Sequence, residues 1–250
     1  HRDLHSFPTR RSSDLASEEE PTNYTQDANI ISWWFFEEES GTRYDESDNN
    51  NDLTDGETVT RSSTHIQGSY AASFASANYE NLSRTDANLA PTTFPGKSST
   101  GGQGAFSIVM WIRPASTGQQ AGLVCKTDSS TEQISFATLV TTEGHIAGEI
   151  SSNGWGSDTI TGSTTYSANT WYHVAFVSDG SNIRLYVGTE GGASAEDATA
   201  VSWAYNLFRG TAGLSIGSEK VNAGNPFNGL IDEVAIFSDA LTLEDRKSVV

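Results

Sequence analysis

WYHVAFVSDGSNIRLYVG, from Trp171 to Gly188, reads as two strands and the turn between them. Side chains on a strand alternate between faces with a period of two. Tyr172, Val174 and Phe176 fall on one face, and Trp171, His173, Ala175 and Val177 on the other. The run stops at Asp179-Gly180, a dipeptide that favours a tight turn. Ile183, Leu185 and Val187 then resume the alternation. Further out, FSIVMWIRP (106–114) puts Phe106, Ile108, Met110 and Ile112 on one face, with Val109 and Trp111 on the other. ISFATLVT and HIAGEISS flank Thr142-Glu143-Gly144, the spacing of a hairpin loop. From Asn29 onward short apolar runs alternate with Gly, Ser, Asn and Asp clusters, and no helical period lasts three turns. That rhythm predicts an all-β, two-sheet antiparallel sandwich.

Bulk properties agree. A single sandwich often runs to 250 residues. No stretch approaches the ~18 consecutive apolar residues of a membrane span. Thirty-two acids against 14 bases give a net charge of −18. Such a surface repels phosphate backbones and anionic membranes, and suits cations or neutral polymers. The single cysteine, Cys125, excludes an internal disulfide, and its apolar context AGLVCKTD predicts a buried, inert thiol.

The two ends read differently. Residues 1–15, HRDLHSFPTRRSSDL, have neither the apolar run of a signal peptide nor any structural period. They match the translation of a common short-read sequencing adapter, and DRKSVV (245–250) matches its companion. We expect both ends to be adapter-derived and the chain to be a fragment of a longer gene. An acidic linker then covers 16–28 and one domain covers 29–244. Each end carries a net +1, so the remaining chain moves from −18 to −20.

Two segments carry a family resemblance. WWFFEEESGTRYDESDNNNDLT (33–54) and FNGLIDEVAIFSDAL (227–241) resemble the opening and closing strands of laminin-G-like jelly-roll domains, within the concanavalin A-like superfamily. WIRP, WYHVAFV and LYVG lie between them in the family order, so the resemblance spans nearly all of 30–244. Asp48 departs from the usual Gly, LYVG lacks the customary Asp, and 83–104 is a long polar stretch. The resemblance implies a jelly roll with first and last strands adjacent. It brings Asp45, Asp48, Asn49 and Asn51 toward Asp232, with Glu37 a weaker addition. Calcium needs six to eight oxygens of these kinds, so a structural Ca2+ is expected there. The competing reading is that these residues make Asx-turn bonds to their own backbone. Downstream, Ser238 or Asp239 is placed to cap a short helical turn.

Sugar sites use exposed aromatic faces beside hydrogen-bonding groups. Trp33, Trp34, Trp111 and Trp171 sit in strands and read as core. Trp155 in SSNGWGSD, and Trp203 with Tyr205 in AVSWAYN, are the candidate stacking platforms. Retaining glycosidases need two carboxyl groups about 5 Å apart. The Glu-x-Asp-x-x-Glu strand of the superfamily's hydrolases does not occur, and Glu149 has no sequence partner. His65, His145 and His173 lie near no nucleophile motif, and His173 reads as a packed side chain. The expectation is a non-catalytic carbohydrate- or glycan-binding module of a larger secreted or cell-surface protein. Its partners are a polysaccharide or glycan, a cell-surface protein and neighbouring domains of its own polypeptide, not nucleic acid or a membrane interior. The alternatives are an adhesion or protein-interaction module without a sugar site, and a concanavalin-like glycoside hydrolase.

Overall fold

The computed structural model describes residues 27–99, 104–222 and 224–242. The ends expected to be adapter-derived, and most of the expected linker, lie outside these residues. In the first half of the chain the strands are β1 (Ile30–Trp34), β2 (Thr54–Gly56), β3 (Thr60–Ser62), β4 (Ala71–Phe74), β5 (Asn81–Arg84), β6 (Ala105–Pro114) and β7 (Ala121–Lys126). There follow β8 (Phe136–Val140), β9 (His145–Ile150), β10 (Asp158–Thr165), β11 (Tyr172–Asp179), β12 (Asn182–Thr189), β13 (Ala195–Glu196), β14 (Val201–Ser202), β15 (Leu214–Ile216) and β16 (Gly229–Phe237).

They form two antiparallel sheets. The first runs β13-β12-β11-β6-β16-β4-β3, with β1 also on β16 and β14 on β12. The second runs β10-β9-β8-β7-β15-β5-β2. The first and last strands are neighbours, with Ile30 opposite Phe237 and Trp34 opposite Val234. The chain is thus the two-sheet jelly roll expected.

Alternation decides the core. Phe106, Ile108, Met110 and Ile112 of β6 meet Val174 and Phe176 of β11 and Ile183, Leu185 and Val187 of β12 in one cluster between the sheets. The sheets approach closely where Gly148 of β9 faces Phe176, since a Cβ there would lie 2.4 Å from the ring. The other face of the first sheet is also buried. Val109, Ala175 and Val177 pack with Trp33 and Phe237, and Trp111 packs with Trp171 and Leu230. Burying both faces explains why these runs are nearly continuous in apolar residues.

β16 is irregular. Its register with β6 shifts between Asp232 and Ala235, and Glu233 takes a left-handed φ of 51°. This bulge brings two neighbouring carboxyl groups into the buried part of the sheet. Beyond β16 the described part of the expected helical turn, residues 238–242, holds a bend and no helical turn. The Ser238 hydroxyl donates to Asn29 O, tying the end of β16 to the start of β1 instead of capping a helix.

Candidate functional site

The acidic opening turn is a hydrogen-bond hub. Asp45 Oδ1 accepts from Trp33 N at 2.8 Å and Ser47 N at 3.0 Å, and Oδ2 accepts from Asn51 N at 2.7 Å and Ser47 Oγ at 2.8 Å. Burial pushes this carboxyl above its usual range, against those four bonds. Asn51 donates to Ser32 Oγ and Ala90 O and accepts from Ala90 N, while Asn49 donates to Ile31 O. Asp48 stays exposed at the rim. The turn therefore grips β1 from the side. Asp232 Oδ2 accepts from Ile66 N at 2.8 Å and Gln67 N at 3.4 Å, and Oδ1 accepts from Glu233 N. Glu37 Oε1 accepts from Ser69 N and Tyr70 N.

The two acidic motifs do meet, through Trp33. Its backbone N–H donates to Asp45, and its indole Nε1 donates to Glu233 Oε2 at 3.0 Å. Glu233, absent from the sequence-derived set, is therefore the acid that joins the motifs; its place in Ile-Asp-Glu-Val was the available signal. Asp45 and Asp232 are engaged by different amide donors, so this arrangement does not fit a shared calcium site. We expect the melting temperature in excess chelator and in about 1 mM Ca2+ to agree within about 1 °C. A rise of several degrees with calcium would restore the ion.

At one end of the sandwich a loop presents an aromatic ring. Trp155 lies between β9 and β10 and is 69% exposed. The loop beneath it is internally satisfied. Asn153 Oδ1 accepts from Trp155 N at 3.1 Å and Gly156 N at 3.0 Å, and Ser151 Oγ bonds Gly154 N and Gly156 O. Gly154 needs its φ of +91°, and a Cβ there would meet Glu132 O and the Phe208 ring at 2.5 Å. Phe208 N in turn donates to Ser151 O, so the 203–210 segment lies directly behind. Tyr205 on that segment is 62% exposed.

Trp203 requires a correction. AVSWAYN predicts a loop platform there, but Trp203 is 0% exposed and belongs to the inter-sheet core with Leu207. Its backbone N–H donates to Ser181 O just beyond β14, which draws the ring inward. It serves instead as the edge-to-face support of Tyr205, ring centroids 6.1 Å apart.

The other chemistry-bearing residues are placed as follows. Cys125 is buried, and burial pushes its thiol well above the usual range. His173 is buried, with Nδ1 3.3 Å from Ser194 Oγ and its ring edge-on to Trp111, a packed histidine. Glu149 shares a row with Ala137 and Cys125 across the second sheet. Burial first, and Glu219 second, push its carboxyl up. Glu219 is a partner that spacing alone did not reveal, since it lies 70 residues downstream on the loop after β15. Among the described residues no group of three or more His, Cys, Asp or Glu side chains is placed to hold a metal. No helix there is long and apolar enough to cross a membrane.

Against known proteins, the family model Laminin_G_3, described as the concanavalin A-like lectin/glucanases superfamily, matches residues 86–245. No curated protein matches significantly. Domain 4 of AbnA, a GH43 extracellular arabinanase from Geobacillus stearothermophilus solved with arabinotriose, superposes with a TM-score of 0.61. It is 18% identical, over 88% of this chain and 98% of that domain. The binding domain of Paraclostridial Mosquitocidal Protein 1 superposes with a TM-score of 0.64 at 15% identity, over 88% of this chain and 51% of that one. The binding domain of botulinum neurotoxin DC, in complex with SialylT, gives 0.64 at 14%, over 90% and 52%. The chain thus spans about half of each toxin binding domain and nearly all of the arabinanase domain.

Proposed function

The chain belongs to the concanavalin A-like lectin/glucanases superfamily, and from that membership we propose that it is a non-catalytic glycan-binding module of a larger extracellular protein. The observation that carries the reading is Trp155. Leaving an indole 69% exposed forgoes burial worth about 2–3 kcal/mol. The loop that forgoes it has its backbone pinned by Asn153 and Ser151, so the ring projects from a pre-ordered loop. A flat, pre-ordered aromatic face suits the apolar face of a sugar ring. Tyr205, braced by Trp203, adds a second ring from the adjacent segment. The arabinanase domain solved with arabinotriose supports a sugar ligand for this fold, as does an extracellular setting for that enzyme.

The test is titration with arabinotriose and a panel of soluble polysaccharides. Trp155→Ala is expected to weaken binding at least about tenfold, or 1.4 kcal/mol. Being exposed, the substitution should leave stability within about 0.5 kcal/mol. Binding unchanged in Trp155→Ala would overturn the site. Absence of any glycan binding would favour the protein-interaction reading.

A further inference from the structure

Arg113 lies near the end of β6 on the outer face of the first sheet, opposite Leu230 of β16. β6 pairs Ile112 with Tyr172, and β12 pairs Thr189 with the same residue. One position further on, the register sets Trp171 beside Arg113 and Glu190 beside Trp171. There the row opens into a groove of about 580 Å3, walled by Asn169 and Thr170 ahead of β11 and by His65 beyond β3. That volume falls within the roughly 300–1,000 Å3 of small-ligand sites. The groove is at the opposite end of the sandwich from Trp155. Asn169 N donates to Pro114 O and Tyr166 N to Gly144 O at this end, whereas Trp155 follows the far end of β9.

Arg113 is half-buried, yet among the described residues its guanidinium has no hydrogen bond or ion pair. The other buried or half-buried arginines are all spent. Arg43 donates to Gly41 O and Val59 O, and Arg61 to Glu37 O while lying over the Tyr70 ring. Arg84 donates to Asn88 O and Asp52 O, and Arg184 pairs with Asp179 and Glu196. In a chain with 32 acids and 14 bases, an unspent arginine lining a polar groove is out of pattern. Its five N–H donors form a planar fork that matches a carboxylate in bidentate fashion. Asn169 and Thr170 offer the neutral donors and acceptors that sugar hydroxyls need, on backbone fixed by the bond to Pro114. A polyanion is disfavoured, because Glu190 lines the same groove and the chain carries −18. Arg113, with Asn169 and Thr170 beside it and Glu190 limiting the negative charge the groove tolerates, fits one carboxylate on a polyol.

We propose that this groove is a second glycan subsite, anchored by Arg113, that takes the carboxylate-bearing unit of an acidic sugar. The inference rests on the glycan-binding reading and adds its ligand class. It is tested by titrating the protein with two matched pairs whose acidic members carry one carboxylate each: galacturonate against galactose, and sialyllactose against lactose. The acidic member of at least one pair is expected to bind at least about tenfold more tightly than its neutral counterpart. Which pair responds separates a uronate from a sialate source. The preference should vanish in Arg113→Gln and shrink in Arg113→Lys, which keeps the charge and loses the fork. It should persist in Trp155→Ala, which lies at the other end. Arg113 is half-buried but makes no hydrogen bond or ion pair among the described residues, so both variants should melt within about 1 °C of the parent. Equal affinity within both pairs, or a preference that survives Arg113→Gln, overturns the subsite. If neutral glycans still bind through Trp155, only the subsite has failed; if no glycan binds, both readings have.

Discussion

Lys126→Met is expected to cost about 3–5 kcal/mol of folding stability, because it strips one partner from a buried ion pair and leaves the other charged. Lys126 Nζ sits 2.8 Å from Asp86 Oδ1 and donates to Gly210 O at 2.6 Å and Ala212 O at 2.8 Å. Burial lowers the lysine from its usual range. Burial alone would raise Asp86, but Lys126 and Ser98 hold its carboxyl low. The two shifts point opposite ways about the pair. The geometry decides, since three oxygens around the ammonium hold it charged. Lys97 adds a second buried cation on Asp86 O, Ala87 O and Leu89 O. Methionine keeps most of the stem volume, so the loss reads charge and hydrogen bonding rather than a cavity. Urea unfolding measures it. Adding Asp86→Asn should recover part of the loss, since the orphaned charge is then gone. A single-variant cost under about 1 kcal/mol would show that the pair does not hold the loops.

The same substitution reaches the glycan reading. Gly210 and Ala212 end the segment that carries Tyr205 and Phe208, and Phe208 backs the Trp155 loop. Lys126 therefore holds the end of the segment behind the exposed indole. Lys126→Met should weaken glycan binding as well as stability, whereas Trp155→Ala should weaken binding alone.

The strand faces were legible in the sequence because alternation is a one-dimensional signal. Phe106 to Ile112 and Tyr172 to Phe176 point inward as their spacing predicts. Adjacency of the first and last strands followed from the resemblance of the two terminal motifs, and the register bears it out. Contacts across the bulge were not legible. A shift between Asp232 and Ala235, with Glu233 left-handed, redirects both carboxyl groups, and no period announces it. The expected meeting of Asp45 with Asp232 became a meeting of Asp45 and Glu233 on Trp33. Trp203 was misplaced because a two-residue strand is too short to alternate. Arg113 gave no sign, since an unspent guanidinium is a property of its surroundings and not of its neighbours in sequence.

Glu233→Gln is expected to raise stability at alkaline pH and to leave it nearly unchanged in mild acid. Burial pushes Asp232 up to about 7 and Glu233 up to about 8, each far above an exposed carboxyl. In the folded protein these groups keep their protons at a pH where the unfolded chain has released them. Between roughly pH 4.5 and 8 the folded state binds more protons, so stability falls as pH rises through that window. Ionising either group is opposed first by burial; for Glu233 the neighbouring Asp232 opposes it next. Glutamine has the shape of protonated Glu233 and keeps an oxygen for the Trp33 indole, but never ionises. Wild type and variant share every other charge, so the difference between them isolates this group. Their urea midpoints should agree near pH 5 and separate by about 2–4 kcal/mol of stability at pH 9, the variant being the more stable. Parallel curves from pH 5 to 9 would mean that Glu233 is ionised throughout. The bulge would then carry a buried negative charge that the Trp33 indole alone could not hold, and a cation between the two acidic motifs would again be required.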